Sequence, residues 1–253
     1  MCLGIRGWMW GMLLAACVGP LCAWGEPLSE IRGLLLRFDE PVGRRFTDYS
    51  GSGHTVSPNG GVTQSRNDYV GGAGSACFDG TGYLNVNGAS DFYFHGDFTI
   101  DFWFKSSSDG SAYAQYALTI GGLPHPKNNI SFDFADKDDS LHGFWLYWNS
   151  SGSNKITAGN SRLQYMDGQW HHVAMVRSKG TITAYMDGVA QGAVYYPGVL
   201  GDSEQPVLVG AHIDRNLMWK GCIDELRIIN GRALWTSDFN PRFYLPPPIN
   251  AFR

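Results

Sequence analysis

Gly168 to Arg177 reads GQWHHVAMVR and sets two of the chain's seven histidines side by side. Paired imidazoles can ligate a metal or pass a proton. On a strand, however, adjacent side chains point to opposite faces, so His171 and His172 cannot serve one metal. No acid stands at the offset a helical H-E-x-x-H site requires. Alternation groups Trp170, His172, Ala174 and Val176 on one face and His171, Val173, Met175 and Arg177 on the other. The segment is a framework strand, and any functional part for His171 is that of a single side chain on an outward face.

The carboxylates give no catalytic pair. Glycoside hydrolysis needs two carboxyl groups facing each other across a cleft. In "CIDELRI", Asp224 and Glu225 are adjacent and so point to opposite faces. Asp133, Asp136, Asp138 and Asp139 crowd into "DFADKDD", read as a solvated hairpin loop. That segment also fails as an EF-hand, with Leu141 at the glycine position and Tyr147 at the final glutamate. There is no G-x-S-x-G elbow, phosphate-cradling loop or thiol nucleophile with its base. The chain reads as a non-enzyme.

Recognition of a sugar calls for exposed rings beside hydrogen-bonding side chains. In "DFTIDFWFK" (97–105), Phe98, Ile100, Phe102 and Phe104 take one face, leaving Thr99, Asp101, Trp103 and Lys105 on the other. Tyr185 of "TITAYMDG" and Trp145 and Tyr147 of "GFWLYWNS" face outward by the same rule. Trp103, Tyr185, Trp145 and Tyr147, with Asp101 and His171, are the candidate ligand-binding residues. A loop laid over these rings would instead turn them into a second core.

The elements that must position these residues are strands. Glycine numbers 33, aromatics reach 14% and charged residues only 17% of 253 residues, a composition of short strands and tight turns. Strand patterns recur about every ten residues with turn signals between them, the mark of a sandwich or jelly roll. A short turn of helix fits Gly231 to Thr236. Residues 26–245 read as a single domain, and the Pro-rich 246–253 as an extended tail.

Residues 1–25 read as an export signal: Arg6, an apolar run from Trp8 to Val18, then small residues up to Gly25. Leu14-Ala15-Ala16-Cys17 also resembles a lipobox, which would place a lipid anchor on Cys17. Removing 1–25 takes away one positive charge, Arg6, and no acid, so the net charge moves from −4 to −5. An acidic surface excludes nucleic acid as a partner. The expected location is outside the cytoplasm: secreted, periplasmic or at the cell surface.

Five segments occur in a telling order: "FDEPVGRRFTDYSGSGHTV", "GSACFDGTGYLNV", "DFYFHGDFTIDFWFK", "GQWHHVAMVRSKGTITAYMDGV" and "GCIDELRIINGRALWTSDFNPRF". Together they resemble the concanavalin A-like, laminin-G-like jelly rolls of bacterial surface and phage proteins, from about Leu34 to Phe243. The resemblance implies an all-β fold, two antiparallel sheets stacked face to face. Its functions include sugar binding and adhesion. It implies a glycan or glycoconjugate as favoured ligand. An envelope or surface protein is the alternative partner, and a glycan-active hydrolase the third option. It also implies a structural Ca²⁺ joining the early turn at Asp48 to Asp224 in the last strand, against the alternative that both aspartates bond turn amides. Finally, it brings the strands of Cys77 and Cys222 close, so that the two pair in an oxidising compartment or remain buried thiols.

Overall fold

The computed structural model describes residues 31–245, less 42, 44, 88–89, 108–113, 122–127, 135–143, 149–154, 159–163 and 202–203. The proposed signal, Cys17, the tail 246–253, and Asp136, Asp138 and Asp139 lie outside the described residues. Nearly all regular structure is strand. The first sheet holds β1 (Gly33–Leu36), β3 (Val62–Ser65), β4 (Ser75–Asp79), β7 (Phe98–Ser106), β12 (His171–Ser178), β13 (Thr181–Met186), β14 (Val189–Tyr195) and β17 (Lys220–Asn230). The second holds β2 (Val56–Asn59), β5 (Tyr83–Val86), β8 (Gln115–Ile120), β9 (Ile130–Phe134), β10 (Phe144–Trp148), β11 (Lys155–Ala158) and β16 (Val207–Val209). A small ribbon pairs β6 (Tyr93–Phe94) with β15 (Leu200–Gly201).

The first sheet runs β14-β13-β12-β7-β17-β4-β3, with β1 also on β17, and the second runs β11-β10-β9-β8-β16-β5-β2. All these pairs are antiparallel. Neighbours far apart in sequence, such as β7 beside β17 and β8 beside β16, give the jelly-roll crossing. The expected all-β sandwich is the observed one.

Alternation decides what fills the space between the sheets. Phe98, Ile100, Phe102 and Phe104 of β7 point inward, as do Val173 and Met175 of β12 and Ile223, Leu226 and Ile228 of β17. They meet Leu118, Ile120, Ile130, Phe132, Phe134, Val207 and Val209 from the second sheet. Phe102 meets Phe132 edge-on at 5.3 Å, and Phe104 meets Phe134 at 5.5 Å. Such offset geometry suits ring quadrupoles. Asp133 does not lie in a loop: it stands on β9 and is buried.

The outer face of the first sheet is the departure from a simple sandwich, because it is buried too. The strap formed by residues 231–245 lies across it and brings a second small core, in which Trp235 joins Ala174, Val176 and Tyr185, with Phe239 and Tyr244 packed against them. The strap contains no helix at 231–236. Its one helical turn is a 3₁₀ turn at Pro241–Tyr244, capped by Asn240, where Pro sits in the first turn at no hydrogen-bonding cost.

Cys77 and Cys222 face each other across β4 and β17 and form a disulfide, closing 145 residues. Replacing both by Ser is expected to lower unfolding free energy by roughly 2–5 kcal/mol, within the usual range for a native bridge. Urea unfolding of the double variant checks this; a midpoint equal to that of the parent would count against the bridge as a stabilising element.

Candidate functional site

β7, β12 and β17 meet in the middle of the first sheet, and their outer faces carry charge. Asp101 of β7 lies opposite Ala174 of β12 and Arg227 of β17. Arg227 donates from Nε to both Asp101 oxygens (2.9 and 3.1 Å) and from Nη2 to Oδ2 (2.5 Å). His172 Nε2 is 3.0 Å from the same Oδ2. Burial pushes the Asp101 carboxyl up, but Arg227 and His172 outweigh it and leave the group below its ordinary value. The strap then closes the site. Trp235 and Phe239 stack at 3.9 Å, Phe239 and Trp235 each meet His172 edge-on, and Arg242 lies over Trp103 at 5.2 Å.

This corrects the expected aromatic platform. Trp103, Tyr185 and Asp101 do share the outer face, but all three are buried. The alternative of a second core is what the strap produces. The side chains of Trp145 and Tyr147 lie outside the described residues; their backbones pair in the second sheet, opposite Thr157 and Lys155.

The expected calcium pair does not fit a cation. One Asp48 oxygen accepts from Leu35 N and Ser50 N, and the other from Ser50 Oγ and His54 N. Asp224 Oδ2 accepts from Val70 N and Gly71 N, and Oδ1 from Glu225 N. Oxygens facing N–H dipoles suit no metal ion. The nearby cation Arg37 lies 3.3 Å from Asp39 and 3.6 Å from Glu225. Among the described residues no group of three or more His, Cys, Asp or Glu side chains could hold a metal.

His171 is placed differently from its expected outward position. It shares the inner face with Val173 and Met175, at the end of β12, where the core opens to solvent. Its Nδ1 is 2.8 Å from Asp187 Oδ2 and its Nε2 3.2 Å from Asp167 Oδ1. Burial lowers its proton affinity, but hydrogen bonds and charge from Asp187 and Asp167 raise it further, for a net upward shift. Asp187 belongs to the two-residue turn Asp187-Gly188, with φ of 51° and 81°, the hairpin geometry that Asp-Gly favours. Its other oxygen accepts His172 N at 2.8 Å.

Beside this clamp lies a cavity of about 440 Å³, lined by Gln164, Tyr165, His171, Met186, Asp187, Val189 and Gln191. That volume suits a small ligand. Met186 and Val189 pair across the hairpin and supply apolar surface. Gln191 falls where the β13–β14 register shifts, the usual way a bulge re-aims a side chain. Of the pocket, the sequence pointed only to His171. The signal for the rest was Asp167, four residues before His171, and Asp187 in the Asp-Gly turn.

Comparisons with known proteins point one way. Residues 78–237 match the family model described as the concanavalin A-like lectin/glucanases superfamily. Human laminin subunit alpha-1 is 25% identical over 181 residues, covering 66% of this chain; the chain spans only 6% of that subunit. Domain 4 of an extracellular arabinanase from Geobacillus stearothermophilus, solved with arabinotriose, has a TM-score of 0.57 at 16% identity, with 85% of this chain and 97% of that domain covered. A botulinum neurotoxin type C structure, described by cell entry that depends on two ganglioside molecules, has a TM-score of 0.56 at 11% identity, over 80% of this chain and 48% of that one.

The buried acids set an acid-side preference. Burial raises Asp224 from 3.8 to about 7, and burial with the Asp224 charge raises Glu225 well above its ordinary value. The folded state therefore holds protons the unfolded chain has lost, and stability falls as pH rises from about 4 to about 7. His171 acts in the same direction: its contribution is complete below 6.5 and is lost as pH rises through its elevated folded value. The melting temperature is expected to be higher at pH 5 than at pH 8, with the upper part of the slope flattened in His171→Gln. Chelator is expected to leave the melting temperature unchanged; a drop of several degrees would restore calcium.

Proposed function

We propose a function from the premise that this chain belongs to the concanavalin A-like lectin/glucanase superfamily: it is an exported, non-catalytic module that binds a carbohydrate or glycoconjugate at the cell envelope or outside the cell. The observation that carries the proposal is the rim pocket. It combines aliphatic surface from Met186 and Val189 with polar groups from His171, Asp187 and Gln191, the mix a sugar ring with one apolar face requires. Hydrolysis has less support. Asp101, Asp133, Asp224 and Glu225 are all buried, and the partly exposed Asp167 and Asp187 are both bonded to His171, whereas a glycosidase needs its two acids facing substrate across an open cleft.

The arabinotriose held by one structural neighbour and the gangliosides named for another lend support at the level of ligand class. Export is favoured by residues 1–25 and by the Cys77–Cys222 bridge, since disulfides persist in oxidising compartments. Within the same proposal, Cys17 is the site for a lipid anchor. Among the described residues no helix is long and apolar enough to cross a membrane.

A second reading, adhesion to an envelope protein, rests on β14. This edge strand carries no charged residue and exposes Val194 (39%) and Tyr195 (69%), whereas edges that stay unpaired usually carry charge.

Glycan-array binding by the intact chain is the test. Binding is expected, and Val189→Asp should weaken it about tenfold by placing a charge on the apolar floor. Trp103→Ala should act on stability instead, by roughly 3–5 kcal/mol for a buried Trp. Capture of an envelope protein with no glycan bound would favour the adhesive reading.

A further inference from the structure

The rim pocket carries an excess of negative charge. Ionised carboxylates only accept, so an imidazole bonded at both nitrogens to carboxylates must carry both protons. His171 is in that position, between Asp187 and Asp167. Its positive charge is thus met twice over, and both its N–H groups are directed at the protein. Each glutamine commits one amide N–H to the protein, Gln164 Nε2 to Tyr165 Oη at 3.2 Å and Gln191 Nε2 to Val189 O at 3.0 Å. One imidazolium and two carboxylates leave a net charge of −1 at the clamp. Among the described residues no lysine or arginine lines the cavity.

The Asp187 and Asp167 side chains are 44% and 42% exposed. Asp187 lines the pocket, and the exposed part of its carboxylate can take up a ligand's O–H or N–H groups.

We infer that the pocket takes saccharides that donate hydrogen bonds, neutral or amine-bearing, and rejects those carrying carboxylate or sulfate. Val189, backed by the buried Met186, lies under the apolar face of the ring, and Asp187 accepts from its hydroxyl or amino groups. An anion would find no cationic side chain there and would meet a like charge, an arrangement that costs affinity and falls off with salt. The inference rests on the glycan-binding reading and adds the charge class of the ligand to it.

The test is an array presenting each oligosaccharide backbone in neutral, de-N-acetylated, and sulfated or uronate forms, read at low and high salt. Neutral or amine-bearing forms are expected to bind, with sulfation or oxidation weakening them about tenfold or more at low salt. Gln191→Lys, on the partly exposed edge of the cavity, should narrow or invert that gap by supplying a cation. Asp187→Asn is not the variant of choice, because its carboxylate also holds the turn. Anionic forms bound as well as neutral ones, with binding lost in Val189→Asp, would overturn the charge selection and leave the glycan reading standing. No glycan bound in any form would remove both, and binding that neither Val189→Asp nor Gln191→Lys alters would overturn the pocket and its charge selection while leaving glycan binding at another site.

Discussion

The Asp101–Arg227–His172 contact is the constraint from which the rest follows. A carboxylate and a guanidinium are buried in mid-sheet, on strands that 126 residues separate. Taking such charges out of water is costly, and the cost is recovered only by close pairing and by keeping water away. The bidentate Arg227 contact supplies the pairing. The strap supplies the exclusion, with the stacked Trp235–Phe239 pair meeting His172 edge-on and with Arg227 Nη1 donating to Tyr244 O at 3.1 Å. Removing one partner would leave an uncompensated buried charge, an effect of about 3–5 kcal/mol. The sheet therefore needs the strap as much as the strap needs the sheet.

That constraint explains what was legible in the sequence. Alternation in "DFTIDFWFK" identified Phe98, Ile100, Phe102 and Phe104 as the inner set, because pleat geometry is local. It separated His171 from His172 for the same reason. It could not assign the fate of Asp101 and Trp103, since their cover comes from Trp235, Phe239 and Arg242, more than 130 residues later. A strand buried on both faces would read as continuously apolar if it carried no charges. Here the charges are present because their partners lie on neighbouring strands, and polarity alone cannot distinguish a paired buried Asp from a solvated one.

Asp224 and His171 illustrate two further limits. A carboxylate near a glycine-rich turn has the same sequence appearance whether it meets a cation or a row of amide hydrogens. Only the direction of Val70 and Gly71 N–H decides it. His171 sits on the face its period predicts, but which face is inner depends on the whole β12 set, and Val173 and Met175 settle it. The rim pocket was invisible to motif reasoning because it is assembled from a turn, a strand end and a hairpin, each unremarkable alone.

The Asp187-Gly188 turn has one more consequence. On its inner side Asp187 holds His171. On its outer side Gly188 O accepts from Phe239 N at 2.9 Å, and Asp238 Oδ1 accepts from Ala190 N at 2.9 Å. A Cβ on Gly188 would collide with the Phe239 carbonyl, so the fit is close. The turn thus joins the pocket wall on one side to the strap on the other, in parallel with the Phe239 contacts to His172 and Tyr185. Displacing the strap would therefore pull on the wall of the rim pocket through these bonds.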